Sequence, residues 1–257
     1  MWAVNRYERL TALLELLAVR GRLVTDDAAT ELGVSAATIR RDLDHLAEQQ
    51  LLSRTRGGAI VQAVSYDLPM RYKTSRREDE KRRIGQASAA LVVPGAVVGL
   101  TGGTTVTEVG RGLVTRTELD VTVVTNALNI AAELVVRPRV KLVVTGGVAS
   151  PKSYQLIGPL AARIADELSL DIAFIGVDGL DPVLGATARN EGEAELNRVF
   201  ATHAERVVVV AHSSKLGRRT LARICGVDEV DTLITDENAT DQAVAPYLDR
   251  GVEVQRV

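Results

Sequence analysis

Cysteine is nearly absent: the one thiol, Cys225, excludes an intramolecular disulfide and fits a reducing compartment. Long apolar runs are missing too, none approaching the ~20 residues that a membrane helix needs. The opening MWAVNRYERL lacks the basic-then-apolar order of a secretory signal. These absences point to a cytoplasmic protein with no membrane partner. His45, His203 and His212 are scattered and read as surface or loop residues. No His/Cys set has metal-ligand spacing and no Ser-His-Asp arrangement is recognisable, so no metal, no cofactor and no catalytic residue is expected. Positive charge is not in excess either: the net charge is −2, and residues 1–62 hold eight Arg against eight Asp or Glu. That balance excludes indiscriminate binding to nucleic acid and leaves only local placement of charge. Residues 71–83, RYKTSRREDEKRR, are the exception, with seven Lys or Arg against three acids. This run reads as a solvated linker or helix start, or else as a stretch near phosphates.

What is present is the balance of a globular protein, 46% apolar and 25% charged over 257 residues, enough for one large or two ordinary domains. Composition changes near residue 65. The expected division is a DNA-binding domain over 1–62, a linker over 63–83 and an α/β domain over 84–257. Before the change come three short helical patterns. Leu10, Leu13, Leu14 and Leu17 mark the first; Ala28, Ala29 and Leu32 mark the second, with Thr25 as its N-cap and Asp26 and Asp27 in its first turn. The third is GVSAATIRRDLDHL, where Gly33 supplies the turn, Ser35 the cap, and Ile39, Leu43 and Leu46 an apolar stripe. Opposite that stripe lie Ala37, Arg41, Asp44 and His45, with Thr38 and Arg40 on the shoulders. LLSRTRGGAIV then reads as a hairpin turning at Arg56, Gly57 and Gly58.

Helix, helix, tight turn, helix, hairpin is the order of a winged helix-turn-helix. A recognition helix enters the major groove by its N-terminal end, so its first turns must be slim and carry donors. Ala37 keeps the approach open, Ser35 and Thr38 offer hydroxyls, and Arg40 and Arg41 reach guanine edges or backbone. Thr25, His45, Arg54, Arg56, Gly57 and Gly58 complete the candidate contacts with double-stranded operator DNA, the glycines letting backbone approach a phosphate. The plain alternative is an accessory domain in which Arg40 and Arg41 only pair with Asp42 and Asp44.

From residue 84 the rhythm is strand, loop, helix. Apolar runs at 96–100, 121–124, 140–144, 171–177, 206–211, 231–234 and 252–254 alternate with helical segments at Glu108–Leu113, Leu128–Val135, Ala161–Leu168 and Glu193–Ala204. This predicts a mostly parallel sheet covered by helices on both faces. Ligands bind beyond the carboxyl ends of such strands. Those ends are polar: Thr101, Gly102, Gly103, Thr104 and Thr105 open a helix and form an anion cradle, followed by Thr125 and Asn126, then Gly146 and Gly147, then Asp178, and finally His212 to Lys215. Each signal alone has an ordinary reading as a turn, a surface lysine or, for Glu193, a first-turn acid. Together they describe a pocket with an anion end and a hydroxyl end, suited to a phosphorylated sugar.

The run Arg9, Leu13, Leu17, Ser35, Thr38, Ile39, Arg40, Arg41, Asp42, Leu43 and the TRGGA wing resemble the N-terminal signature of the DeoR family of bacterial transcription regulators. TGGTT, VTNALNIA, TGG, FIGVDGL, EGEAELNR and HSSKLG resemble its C-terminal sensor, so the resemblance covers about residues 6–235. It implies a fold similar to ribose-5-phosphate isomerase, Arg40 and Arg41 as DNA contacts, Asp42 as an orienting residue, and a sugar phosphate with its phosphate on Gly102 to Thr105. The chain departs from the family pattern at Thr101, where an aspartate is common, and at His212 to Ser214, where the common run is ADHSK. The reading is a transcriptional repressor relieved by a phosphorylated sugar and acting as a dimer or tetramer on paired half-sites. A second reading is a sugar-phosphate isomerase-like enzyme with an N-terminal assembly module, since Asp178, Glu193 and Lys215 are of types that move protons and stabilise an enediolate.

Overall fold

Residues 6–49, 51–60 and 77–257 are described in the computed structural model. The chain divides into two units, Met1–Arg76 and Arg77–Val257.

In the first unit the leucine stripe of α1 (Arg6–Arg20) meets the stripe of α3 (Ala36–Glu48): Leu13, Ile39, Leu43 and Leu46 are fully buried. Leu23, Ala28, Leu52 and Ala59 complete this small core. Between those helices lie β1 (Arg22–Val24) and α2 (Thr25–Glu31), and after them β2 (Ser53–Thr55) and β3 (Gly58–Ile60). Three strands, in order β1, β3, β2, make the wing, one more than the expected hairpin. The extra strand is three residues long with one buried side chain, Leu23, too short to show alternation. It also corrects the expected cap: β1 runs straight into α2, so the N-cap is Val24 and Thr25 is the first helical residue, its side chain buried. Gly33 (φ 65°) makes the turn before α3 as expected, and Ser35 Oγ caps α3 by accepting from Thr38 N at 3.2 Å.

The second unit begins with α4 (Glu78–Ala90). Here the expected linker 63–83 is corrected at its end, because residues 78–83 are the first turns of this helix; residues 61–76 lie outside the described residues. Seven parallel strands follow: β4 (Val97–Leu100), β5 (Val121–Thr125), β6 (Val140–Val144), β9 (Leu170–Gly176), β12 (Ala204–Val210), β14 (Thr232–Thr235) and β15 (Glu253–Arg256). All seven coincide with the apolar runs, as expected for strands buried on both faces. Their spatial order is β15, β14, β12, β9, β4, β5, β6. The chain therefore builds outward from β4 in one direction, then returns to β9 and builds in the other. The switch point lies between β4 and β9, where an open α/β sheet leaves a crevice at its carboxyl edge.

One core, with Ile84, Leu100, Val109, Phe174 and Ile234, lies under α4, α5 (Thr104–Thr115) and α6 (Leu128–Leu134). The other, with Ala161, Phe200, Leu233 and Tyr247, lies under α7 (Pro159–Asp166), α8 (Glu191–Thr202) and α9 (Asp241–Leu248). Two small antiparallel additions sit at the rim: β7 (Val148–Ala149) with β8 (Leu156–Ile157), and β10 (Gly179–Asp181) with β11 (Gly185–Ala188) and β13 (Ala222–Cys225).

α4 and α5 approach closely because both carry glycine at the contact. A Cβ on Gly85 would lie 2.5 Å from the backbone carbonyl of Glu108, and one on Gly112 would lie 2.8 Å from Gly85 O and 2.9 Å from Ala89 Cβ. The pairs advance together along both helices, so α4 and α5 run in the same direction. Since α4 descends into β4, both N-termini lie at the carboxyl edge of the sheet. Gly85→Ala should push the helices apart and destabilise the second unit by about 1–3 kcal/mol, measured as a lower urea midpoint with unchanged slope.

Candidate functional sites

On α3 the buried stripe leaves Ala37, Arg40, Arg41 and Asp44 exposed and Thr38 and His45 half-buried. Arg40 and Arg41 make no ion pair among the described residues, and the acids of the alternative pairing, Asp42 and Asp44, are held by other arginines. Asp42 points inward instead, where Arg9 Nε lies 2.5 Å from its carboxylate and Arg6 Nε 3.6 Å. A buried carboxylate needs such a partner, and here it ties α1 to α3. Asp44 is taken by Arg54, whose Nε lies 2.8 Å away while its Nη1 donates to Gly58 O at 2.8 Å. Arg54, expected as a DNA contact, thus fastens the wing to α3.

Other expected contacts divide by burial. Ser35 and Thr38 share the cap, their hydroxyls 2.9 Å apart. His45 Nε2 lies 2.7 Å from Gln49 Nε2. Arg56 and Gly57 (φ 89°) are exposed at the wing tip. Gly58 is corrected: it is buried, and a Cβ there would sit 1.9 Å from Leu23 O, so its glycine serves the contact with β1. Thr25 has its hydroxyl buried and without a hydrogen bond among the described residues.

At the switch point of the second unit Thr101 is fully buried; its hydroxyl donates to Phe174 O at 3.3 Å and accepts from Gly176 N at 2.9 Å. The expected ligand contact is therefore corrected to a clasp between β4 and β9. Gly102 is covered by Gln155, whose side chain would meet a Cβ there at 2.2 Å. The cradle opens at Gly103, the N-cap of α5 (φ 124°), where an added Cβ would meet nothing within 4 Å. Thr104 is half-buried and Thr105 buried. Asn126 is fully buried: its Nδ2 donates to Gln155 Oε1 and Leu156 O, both at 3.2 Å, and its Oδ1 has no partner among the described residues. Gly146 (φ 70°) and Gly147 (φ 113°) turn the chain into β7, and Ile157 O lies 2.8 Å from where a Cβ on Gly147 would stand.

Asp178 accepts from Arg189 N at 3.0 Å, and Glu193 is half-buried in the first turn of α8, its N–H capped by Asn190 Oδ1 at 3.0 Å. Lys215 Nζ donates to Val177 O at the end of β9. Two residues that sequence reasoning passed over join this edge: Gln155, hidden in an unremarkable hairpin, and Arg77, hidden in the charged run.

A DeoR-like helix-turn-helix domain matches residues 9–63, and the DeoR C terminal sensor domain matches residues 76–237. The chain is 35% identical over 251 residues to the HTH-type transcriptional repressor GlcR of Bacillus subtilis, spanning 96% of this chain and 95% of that one. It is 34% identical over 233 residues to the HTH-type transcriptional regulator GlpR of Haloferax volcanii, spanning 89% of each. The glycerol-3-phosphate regulon repressor of Escherichia coli K12 is 28% identical over 252 residues, 98% of this chain and 99% of that one. This chain belongs to the DeoR family. Among solved structures, a ribose 5-phosphate isomerase A from Methanocaldococcus jannaschii aligns at TM-score 0.41 and 22% identity over 54% of each chain.

As a DeoR-family protein it is a DNA-binding transcriptional regulator with an N-terminal helix-turn-helix and a C-terminal sensor. Within the sensor, the family member's departure at His212 has a physical consequence. The ring is half-buried, and its Nδ1 lies 2.7 Å from Arg77 Nη1 and 2.8 Å from Ser214 Oγ. Burial, followed by the charges of Lys215, Arg77 and Lys81, pushes its pKa down to about 3, against the opposing pull of Asp236. His212 is thus a neutral acceptor in the folded chain, half-buried in the loop after β12.

Because the folded pKa is depressed, the unfolded chain binds the proton first as pH falls below 6.5. Stability is lost through that window down to about 3, where folded His212 also protonates. His212→Gln keeps an acceptor without the titration; its unfolding midpoint should fall less steeply between pH 6.5 and pH 4 than the wild type's, as thermal melts will show.

Proposed function

We propose that this regulator is a repressor that holds operator DNA through α3 and the wing and releases it when a phosphorylated sugar binds at the switch point. The observation that carries the DNA half is the face of α3: two exposed arginines without acidic partners among the described residues, behind small residues in the first turn. Structural acids elsewhere in the unit are taken by Arg9 and Arg54, which leaves Arg40, Arg41 and Arg56 for phosphate and base edges. The effector half is supported by the open α5 N-terminus at Gly103 to Thr105, whose N–H groups and dipole favour an oxyanion, and by the buried, unpartnered Asn126 Oδ1, which needs a donor such as a sugar hydroxyl.

Sensing is favoured over isomerisation because the groups needed for proton transfer are engaged in holding the edge: Asp178 on Arg189 N and Lys215 on Val177 O. An inducer acts only if it prefers the arrangement with low DNA affinity. Two heads on paired half-sites call for an even-numbered assembly, a dimer or tetramer.

The test is fluorescence anisotropy of DNA from upstream of the chain's own gene, with and without a panel of sugar phosphates. Retention of DNA at low salt and release by one of the compounds is the expected outcome; indifference to that DNA sinks the reading. Arg41→Ala should weaken operator binding by about 1–3 kcal/mol, roughly ten- to a hundredfold, while effector binding stays intact. Thr104→Asp places a carboxylate in the cradle on helical backbone, avoiding the strain that a side chain at Gly103 would meet. This variant should bind operator normally and ignore the inducer.

A further inference from the structure

Arg77 is the first residue of the sensor unit and the N-cap of α4. Its backbone is left-handed, φ 54° and ψ 46°, a conformation costing a non-glycine residue roughly 1 kcal/mol or more unless its surroundings hold it. The guanidinium provides that hold. Nη1 donates to His212 Nδ1 at 2.7 Å and to Ser214 Oγ at 2.6 Å, both in the turn after β12.

These partners are unusual in being neutral. His212 is uncharged in the folded chain, and among the described residues no carboxylate pairs with Arg77 and no acceptor meets its Nε and Nη2. Asp236, the carboxylate beside this turn, is committed elsewhere: it accepts from Ser213 N at 2.6 Å, Ser213 Oγ at 3.0 Å and Asn238 Nδ2 at 2.8 Å. A half-buried cation without a counter-ion is costly, and the Nε/Nη2 edge of a guanidinium is the one that grips an oxyanion with two parallel hydrogen bonds.

Position agrees with chemistry. The Gly85 and Gly112 contacts set α4 and α5 side by side in the same direction. Carried back one turn, that register brings Lys81, buried on α4, beside the Thr104 end of α5, with Arg77 one turn further toward the carboxyl edge. Lys215, in the same turn as His212 and Ser214, reaches the end of β9. Arg77 and Lys81, on either side of the acidic first turn of α4 (Glu78, Asp79, Glu80), and the open cradle of α5 therefore lie toward one corner.

We propose that Arg77 is itself a ligand of the effector's oxyanion, its Nε/Nη2 edge gripping a phosphate held at the Gly103 to Thr105 cradle while Nη1 stays on His212 and Ser214. This rests on the reading of the sensor as a phosphate site. It adds a consequence, because the residue that would meet the oxyanion is the one at which the chain from the first unit enters the sensor.

Inorganic phosphate is the probe, titrated calorimetrically into the full chain. Wild type should bind it, Arg77→Gln at least tenfold more weakly, and Arg77→Lys in between, since lysine keeps the charge without the fork. A measurement needing no substitution accompanies this: with three histidines in the chain, the ring resonances of His212 should shift on saturation with phosphate and stay fixed when phosphate is absent. Arg77→Gln binding phosphate as tightly as wild type, or His212 resonances unmoved at saturation, overturns the proposal. If Thr104→Asp abolishes phosphate binding while Arg77→Gln does not, Arg77 is excluded and the phosphate site stands. No phosphate binding by the wild type removes both.

Discussion

The sensor depends on how closely α4 lies against α5. Two glycines, Gly85 and Gly112, let the helix backbones approach where any side chain would meet a carbonyl. That contact has a chemical result as well as a packing one. In a parallel α/β sheet each crossover helix ends its descent at the amino edge, so a second helix packed in the same sense brings its own N-terminus to the carboxyl edge. Two helix N-termini then lie at the carboxyl edge, where the strand order opens a crevice between β4 and β9; that of α5 is free of acids, whereas the first turn of α4 carries Glu78, Asp79 and Glu80. Thr101, whose hydroxyl bonds both Phe174 O and Gly176 N, holds those two strands at the point where the crevice begins.

The first unit solves a different problem: a small domain rich in arginine must decide which of its cations are structural. Burial makes the decision. Asp42 is buried and takes Arg9; Asp44 is exposed, but the wing brings Arg54 onto it. A carboxylate left alone in the first case would cost several kcal/mol, whereas the second pair is worth a fraction of that and mainly sets an angle. Arg40 and Arg41 sit on the face where neither acid reaches. Their lack of partners among the described residues follows from the same 3.6-residue period that buries Ile39, Leu43 and Leu46.

Much of this was legible in the residues. Strands buried on both faces are continuous apolar runs, so all seven parallel strands were readable, as were the stripe of α3 and the cap at Ser35. Features shorter than a period were not: β1 carries a single inward side chain, and β7, β8 and β10 have two or three residues each. Polar residues at strand ends misled in a systematic way. Thr101, Gly58 and Thr25 looked like ligand contacts because their types suit ligands, yet each is buried: Thr101 bonds the β9 backbone, Gly58 permits the contact with β1, and the Thr25 hydroxyl meets no partner among the described residues. Sequence gives residue type at an edge but not which side of the edge a side chain takes. Arg77 shows the converse. Within RYKTSRREDEKRR nothing distinguishes it from its neighbours, and only the turn after β12, 135 residues away, selects it.

Those misread threonines and the overlooked arginine bear on how a sensor of this kind responds. A ligand that met only the α5 cradle would bind rigid groups: the backbone there is fixed by Thr101 on one side and by the first turn of α5 on the other, so occupancy alone would change little. Differential affinity requires a group with two arrangements of comparable energy. The left-handed residue ahead of α4 has that character, since its conformation is unfavourable by itself and is kept by two hydrogen bonds to neutral acceptors, each worth about 1 kcal/mol net. An oxyanion on the remaining Nε/Nη2 edge would add charge-assisted bonds roughly twice as strong. The balance between those sums lies within reach of a single small ligand, and it is set at the residue through which the sensor is joined to the rest of the chain.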